Sequence, residues 1–348
     1  MRALTVRPQH PGSLAVEDVP EPSPQEGDLL VEGIAVGVCA TDREIAAGGY
    51  GWAPDGTDRL VLGHESFGRV REAPDGSGFE PGDLVAGVVR RPDPVPCGAC
   101  ARMEFDMCRN GRYTERGIKQ RDGYASELWR VEPGYAVRLA DSLARTGMLL
   151  EPATIVAKAW EQIERVGERS YFAPRRVLVT GAGPIGLLAA QLSIQRGLET
   201  HVLDRVPEGQ KPALVRAIGA AYHADDPGEV TRHLAPDIVI EATGSPEVVV
   251  SVLRGNAAYG IVCLTGVSPE GRRLTIDAGG LNREIVLQND AILGSVNANL
   301  RHYHKAADAL AKADNDWLES LLTRRVPLER AAEAFTKTED DIKTVIDL

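Results

Sequence analysis

A chain of 348 residues, 43% hydrophobic and 26% charged, is long enough for two domains and has the composition of a folded globular protein. Its net charge of −11 works against a nucleic-acid partner, whose phosphates call for a basic face. No apolar run approaches the roughly 20 residues that cross a bilayer, since Met148-Leu149-Leu150 is broken by Glu151 and Ile285-Val286-Leu287 by Gln288, so no membrane partner is expected.

At the start of the chain, the apolar residues before Arg7 and Pro8 are too few for a signal peptide, and cytoplasmic residence is the expectation. Pro20, Pro22, Pro24 and Gly27, then Asp75-Gly76 and Pro81-Gly82-Asp83, punctuate short strand-like runs such as 31–38 and 84–89. Residues 1–153 therefore read as an irregular β domain. The pattern changes after Glu151. Ile155, Ala159, Ile163 and Val166 fall at helical spacing. Val177-Leu178-Val179 then reads as a strand, and the residues after the next turn as a helix that Gly197 stops. Further strands follow at Val202-Leu203-Asp204, Ile238-Val239-Ile240, Ile261-Val262-Cys263-Leu264 and Ile292-Leu293, alternating with helical stretches such as 247–253. Such alternation predicts a parallel, doubly wound α/β sheet over 154–299. From His304 onward the chain returns to helix, with a short strand near Val345-Ile346. No internal repeat interrupts this order.

Between the first strand and helix of that sheet stands Gly181-Ala182-Gly183-Pro184-Ile185-Gly186. Glycines at this spacing let backbone amides approach a pyrophosphate, which the positive end of the helix holds. Asp204 lies 18 residues past the last glycine at the end of the second strand, where a carboxylate accepts the hydroxyls of the adenosine ribose. Its charge would repel a 2′-phosphate, so NAD is expected over NADP, although Arg205 and Lys211 follow closely enough to soften that preference.

Of the five cysteines, Cys97, Cys100 and Cys108 fall within 12 residues, which in a cytosolic chain suggests metal more than disulfide. Cys263 lies in an apolar strand and reads as core. Cys39, His64, Glu65 and Glu151 are of the types that bind a catalytic zinc, which keeps one position open for water or substrate. Taken singly, a cysteine is more often core, a His-Glu pair is often superficial, and Glu151 has a plain alternative as a helix-terminal acid.

Together, Cys39-x-Thr41-Asp42, Gly63-His64-Glu65-x-x-Gly68-x-Val70 and the glycine-rich turn resemble the zinc-containing medium-chain dehydrogenase/reductase superfamily, in order and over essentially the whole chain. Within it the chain is most similar to glucose 1-dehydrogenases, through Val89-Arg90-Arg91-Pro92, residues 111–118, Asp122-Gly123-Tyr124, Leu150-Glu151-Pro152 and Gly294-Ser295-Val296-Asn297. The resemblance implies a GroES-like catalytic domain over 1–153, completed by 300–348 after a Rossmann domain over 154–299. It makes Cys39 and His64 zinc ligands, and Glu65 and Glu151 carboxylates that ligate the metal or face the sugar. Thr41 would relay the proton of the reacting hydroxyl, and Glu115 and Asn297 would bind sugar hydroxyls. Thr243, Leu264, Thr265, Gly266, Val267, Ser295, Val296 and Asn297 would line the nicotinamide half of the cofactor. The Cys97–Cys108 segment resembles the structural zinc lobe with one cysteine missing, so either Asp106 is its fourth ligand or the lobe is metal-free.

What the resemblance implies for activity is zinc-dependent oxidation of D-glucose at C1 to glucono-1,5-lactone with NAD(P), by a homodimer or homotetramer. The same chemistry on another polyol, an amino alcohol or a simple alcohol is the runner-up. A non-catalytic dinucleotide-binding protein is the rival from a different class, and it has no use for Cys39, His64 and Glu65.

Overall fold

The longest strand, Leu29–Val38, carries apolar residues on both faces of its second half and becomes the middle of a mixed sheet. A computed structural model of the chain describes residues 1–336, 338 and 340–348. On one side of Leu29–Val38 lies the antiparallel strand Glu65–Glu72, with Gly37 opposite Glu65. On the other lies Thr344–Asp347, also antiparallel, with Thr344 opposite Val38 and Val345 opposite Gly37. Leu84–Gly87 and Ala136–Arg138 extend the first flank, and Arg324–Pro327 extends the second in parallel. Residues 344–347 are thus built into the same sheet as residues 29–38. Val36, Val38, Ile45, Leu60, Val326 and Ile346 close into one apolar core there. These segments form one compact unit, Met1–Glu151 with Ala298–Leu348.

The second unit, Pro152–Asn297, is wound around a parallel sheet. Its strands stand in the order Ala221–His223, Glu199–Leu203, Arg176–Thr180, Ile238–Glu241, Ile261–Leu264, Ala291–Gly294. The first strand in sequence lies near the middle and the order reverses beside it, the arrangement that opens a crevice at the carboxyl ends of the strands. Central strands are apolar on both faces because helices cover both, as in Ile238–Glu241, where every residue is buried. The alternation read from the sequence becomes the helices Leu150–Gly167, Pro184–Gln195 and Pro246–Val252, and Cys263 is buried in its strand. Among the described residues no helix is long and apolar enough to cross a membrane.

The turn after Arg176–Thr180 depends on its glycines in different ways. Gly181 has φ +91°, a conformation that side chains disfavour. A Cβ on Gly183 would meet no protein atom within 4 Å, which leaves its backbone open to a ligand. A Cβ on Gly186 would stand 1.7 Å from the Gly181 carbonyl oxygen, so the helix packs on the turn only because nothing projects there. Gly186→Ala is therefore expected to cost about 1–3 kcal/mol of stability and to abolish dinucleotide binding. Thermal unfolding with and without dinucleotide checks both, and a variant still stabilised by the dinucleotide like wild type would contradict this account of the turn.

Candidate active site

Cys39 follows the strand Leu29–Val38 and caps the helix Ala40–Ala46. The Asp42 carboxylate accepts the Cys39 N–H at 2.8 Å, and the Thr41 N–H donates to Cys39 Sγ at 3.2 Å. The second Asp42 oxygen lies 3.2 Å from His64 Nδ1, which turns His64 Nε2 toward Cys39 Sγ, 3.1 Å away. A carboxylate behind a histidine fixes its tautomer and orientation, as metal sites require. Glu65, next in sequence, has its carboxylate ion-paired with Lys343, whose ammonium also donates to the Val38 carbonyl at 3.2 Å. Gly37 makes this possible, since a Cβ there would stand 1.9 Å from Glu65 Oε2 and 2.8 Å from Lys343 Cε. Asp42, His64, Glu65 and Lys343 are all buried.

One donor atom each from Cys39, His64 and Glu65 lies within 4.8 Å of the other two. A thiol, an imidazole nitrogen and a carboxylate at this spacing fit a zinc ion, which binds sulfur at about 2.3 Å and nitrogen or oxygen at about 2.0–2.2 Å. Charge is balanced within the set. Burial opposes a charge on His64, but Asp42 and Cys39 outweigh it and hold the imidazole well above its ordinary pKa. Burial likewise opposes the Asp42 charge, yet His64, the Cys39 N–H and Lys343 keep that carboxyl below the usual range. Glu151 opens the helix Leu150–Gly167 outside the convergent set. Burial, reinforced by Glu65 and Asp42 against His64 and Lys343, pushes its carboxyl up to about 7.

Glu115, a sugar-binding residue by the resemblance, has a structural setting of its own. It lies in the short strand Thr114–Arg116 opposite Arg90, and both side chains are buried. Arg90 Nε and Nη2 donate to Glu115 Oε1 at 3.1 and 2.9 Å. Arg90 Nη1 donates to the Asp106 carbonyl at 3.2 Å, and its guanidinium stacks 3.6 Å from the centre of the Tyr113 ring. Glu115 is therefore half of a buried ion pair that the fold needs.

Cys97, Cys100 and Cys108 bring three sulfurs within 4.8 Å of one another, and no fourth ligand joins them among the described residues. Of the two alternatives for this lobe, Asp106 as a fourth ligand is corrected: it lies outside the convergent set, buried with its carboxylate accepting from Asn299 Nδ2 at 2.7 Å, at the start of the helix Leu300–Ala311. A hydrogen bond from the Arg109 N–H helps draw the Cys97 thiol down to about 6, while burial pushes Cys100 up to about 11.

In the second unit, Asp204 follows the strand Glu199–Leu203 and accepts the Ala182 N–H at 2.7 Å, with Lys211 Nζ 3.3 Å away. Arg205 beside it is exposed. Glu241, fully buried, accepts from the Thr243 N–H at 2.7 Å and from Gly244, while its carbonyl takes the N–H groups of Thr265 and Gly266. Lys158 donates to the Val296 carbonyl at 2.8 Å, beside Asn297 in the left-handed region at φ +64°. Thr243, Thr265, Gly266 and Val296 are thus tied down by two buried charged residues that sequence reasoning passed over. Leu264, Val267 and Ser295 adjoin them at the strand ends. Asp42 is the one overlooked group with a local signal, a carboxylate three residues past a helix cap.

Two outcomes follow from this geometry. With Asp106 engaged elsewhere, the purified protein is expected to retain about one zinc per chain after dialysis against a mild chelator, since a closed structural site wants four donors; metal analysis giving about two would show the thiol lobe filled. Glu115→Ala strands the buried Arg90 charge and is expected to destabilise the protein by about 3–5 kcal/mol in denaturant titration. A loss below about 1 kcal/mol is the value for a surface pair and would contradict the burial described.

Comparison with known proteins places this geometry in a family. A family model described as glucose dehydrogenase C-terminus matches residues 144–348, and one described as alcohol dehydrogenase GroES-like domain matches residues 25–141. Glucose 1-dehydrogenase of Methanocella arvoryzae is 39% identical over 357 aligned residues, covering 100% of this chain and 99% of the relative. That of Thermoproteus tenax is 40% identical over 360, covering 99% of each. Among solved structures, Haloferax mediterranei glucose dehydrogenase in complex with NADP, Zn and gluconolactone superposes with a TM-score of 0.91 at 33% identity, covering 100% of this chain and 99% of that one. Carrying the glycine-rich turn and the Cys39–His64–Glu65 set in such a frame, the chain belongs to the glucose 1-dehydrogenase family of the zinc-containing medium-chain dehydrogenases.

Proposed function

We propose that this chain oxidises D-glucose at C1 to glucono-1,5-lactone with zinc and a nicotinamide dinucleotide. The observation that carries the reading is the convergence of Cys39, His64 and Glu65, with Asp42 and Lys343 set behind them, in a chain of this family. When bound, zinc supplies a Lewis acid that makes the C1 hydroxyl acidic near neutral pH, and the nicotinamide supplies the hydride acceptor. The chain's own residues orient the sugar and move its proton. Cys39, His64 and Glu65 hold the metal. Glu151, beside them, completes the set or takes a sugar hydroxyl. Thr41, in the first turn of Ala40–Ala46, accepts the C1 hydroxyl proton and passes it to solvent. Glu115, while paired with Arg90, and Asn297 bind further hydroxyls of the sugar, which favours a polyhydroxylated substrate. Gly181, Ala182, Gly183, Pro184, Ile185 and Gly186 hold the pyrophosphate, while Thr243, Leu264–Val267 and Ser295–Asn297 hold the nicotinamide half.

For the dinucleotide, the Haloferax complex contains NADP. In this chain Asp204 would face a 2′-phosphate, and the Lys211 ammonium 3.3 Å away offsets only part of its charge. NAD is the preferred cofactor and NADP an accepted one on this reading. The protein is also a homodimer or homotetramer, working in the cytoplasm. Supporting association, the helix Ala278–Gln288 has no buried residue, Val286 and Leu287 on it are both 63% exposed, and the neighbouring strand Ala291–Gly294 is the edge of its sheet. Light scattering showing a monomer would remove that part.

A panel of aldoses, polyols and short alcohols, read by absorbance of the reduced cofactor, tests the activity. Glucose is expected to give the highest kcat/KM, and turnover confined to short alcohols would contradict the proposal. Asp204→Gly is expected to raise the NADP to NAD ratio of kcat/KM by about tenfold, as removal of a like-charge contact should. An unchanged ratio would move cofactor selection away from Asp204.

A further inference from the structure

The segment between Cys39 and His64 carries an exposed tryptophan held in a fixed place. After the helix Ala40–Ala46 the chain runs through Tyr50 and Trp52 and pairs with the turn that follows Glu115. The Trp52 N–H donates to the Ile118 carbonyl and the Gln120 N–H to the Trp52 carbonyl, both at 2.9 Å. That turn is closed by Glu115 and Lys119, whose N–H groups each donate to the other's carbonyl at 2.8 and 2.9 Å. Gly51 allows the close fit, since a Cβ there would stand 3.1 Å from Ile45 of the helix.

The side chains complete a small aromatic surface. Tyr50 and Trp52 pack edge to face with ring centres 5.0 Å apart. Lys119 Nζ lies 4.3 Å from the centre of the Tyr113 ring and 6.0 Å from that of Trp52. Burial, with Glu115 and Tyr113 adding to it, raises the Tyr50 phenol above its ordinary pKa. Trp52 is 41% exposed, whereas Trp129, Trp160 and Trp317 are at most 6% exposed.

We propose that Trp52, backed by Tyr50, is the platform on which the sugar ring lies, and that it selects a cyclic sugar over an open chain. The proposal rests on the functional reading above, in which the reacting hydroxyl is held near Cys39 and another at Glu115. Trp52 is paired with the turn 117–120, and Gly117 of that turn packs on Gly63, the residue before His64, so the segment adjoins the metal-ligand set. All the substituents of β-D-glucopyranose are equatorial, so its flat faces present C–H groups, and an aromatic face takes such a surface while Lys119 takes hydroxyls at its edge. An open-chain polyol offers no comparable face.

Two readouts test the platform. Trp52→Leu is expected to raise the KM for glucose about fivefold to tenfold, the range for one aromatic contact, and far more than it lowers kcat. The KM for a short alcohol should stay near wild type, and Trp52→Phe should restore most of the glucose affinity. Independently, adding gluconolactone to the zinc-loaded protein with oxidised dinucleotide should change the tryptophan emission of wild type and leave that of both variants unchanged. If wild type oxidises glucose but Trp52→Leu keeps its glucose KM, or if the lactone leaves the wild-type emission unmoved, the platform is wrong and the activity stands. If Trp52→Leu instead changes the molecular mass in solution with glucose KM intact, Trp52 is a subunit contact and the proposal falls. If no aldose is oxidised by wild type, the underlying reading fails first.

Discussion

Two carboxylates are buried at the metal-ligand set, Glu65 as one of its members and Asp42 behind it, and each has a cation or polarised donor set against it. Removing either counter-charge would leave a desolvated anion, which is far more costly than a superficial unpaired charge. Asp42 is held by His64 and the Cys39 N–H, and Glu65 by Lys343. The same contacts aim the ligand atoms. His64 presents Nε2 because Nδ1 faces Asp42, and Cys39 is fixed as a helix cap because Asp42 takes its N–H. Charge compensation and ligand orientation are here one set of interactions.

Sheet register is what delivers these partners. Leu29–Val38 sits between Glu65–Glu72 and Thr344–Asp347, so residues from the start, the first quarter and the end of the chain meet around Gly37. The absent side chain of Gly37 is the space in which Glu65 and Lys343 pair. A comparable device orders the second unit. The buried Glu241 ties two loops at the carboxyl ends of adjacent strands, and the buried Lys158 ties a third at Val296. In both units the candidate site residues stand at or near the ends of strands and helices, and buried charged groups hold the backbone beside them.

Much of this was legible wherever the signal was local. The glycine-rich turn, Asp204 and the adjacent His64-Glu65 pair announce themselves within a few residues, and the strand–helix alternation of 154–299 has a clear period. Arg90 and Lys343 carried no such signal, because each acts on a partner brought to it by strand pairing, across a sequence distance that no pattern records. The strand around Glu115 has no sequence signal either, because three residues are too short to show alternation. Asp106 was chosen for its closeness in sequence to three cysteines, while the fold turns it to Asn299 instead. Trp52 was passed over since a single aromatic residue in a glycine-rich segment has no pattern to interpret.

The central claim is that the metal of this protein is held by one thiol, one imidazole and carboxylate oxygen, on the set organised by Asp42 and Lys343. X-ray absorption at the zinc edge, on protein brought to one zinc per chain, reads that ligand shell directly. The account predicts a single sulfur neighbour at about 2.3 Å, with the remaining neighbours nitrogen or oxygen at about 2.0–2.2 Å. A shell of three sulfurs would place the ion in the Cys97–Cys100–Cys108 lobe, and a shell with no sulfur would remove Cys39, and either result would contradict it.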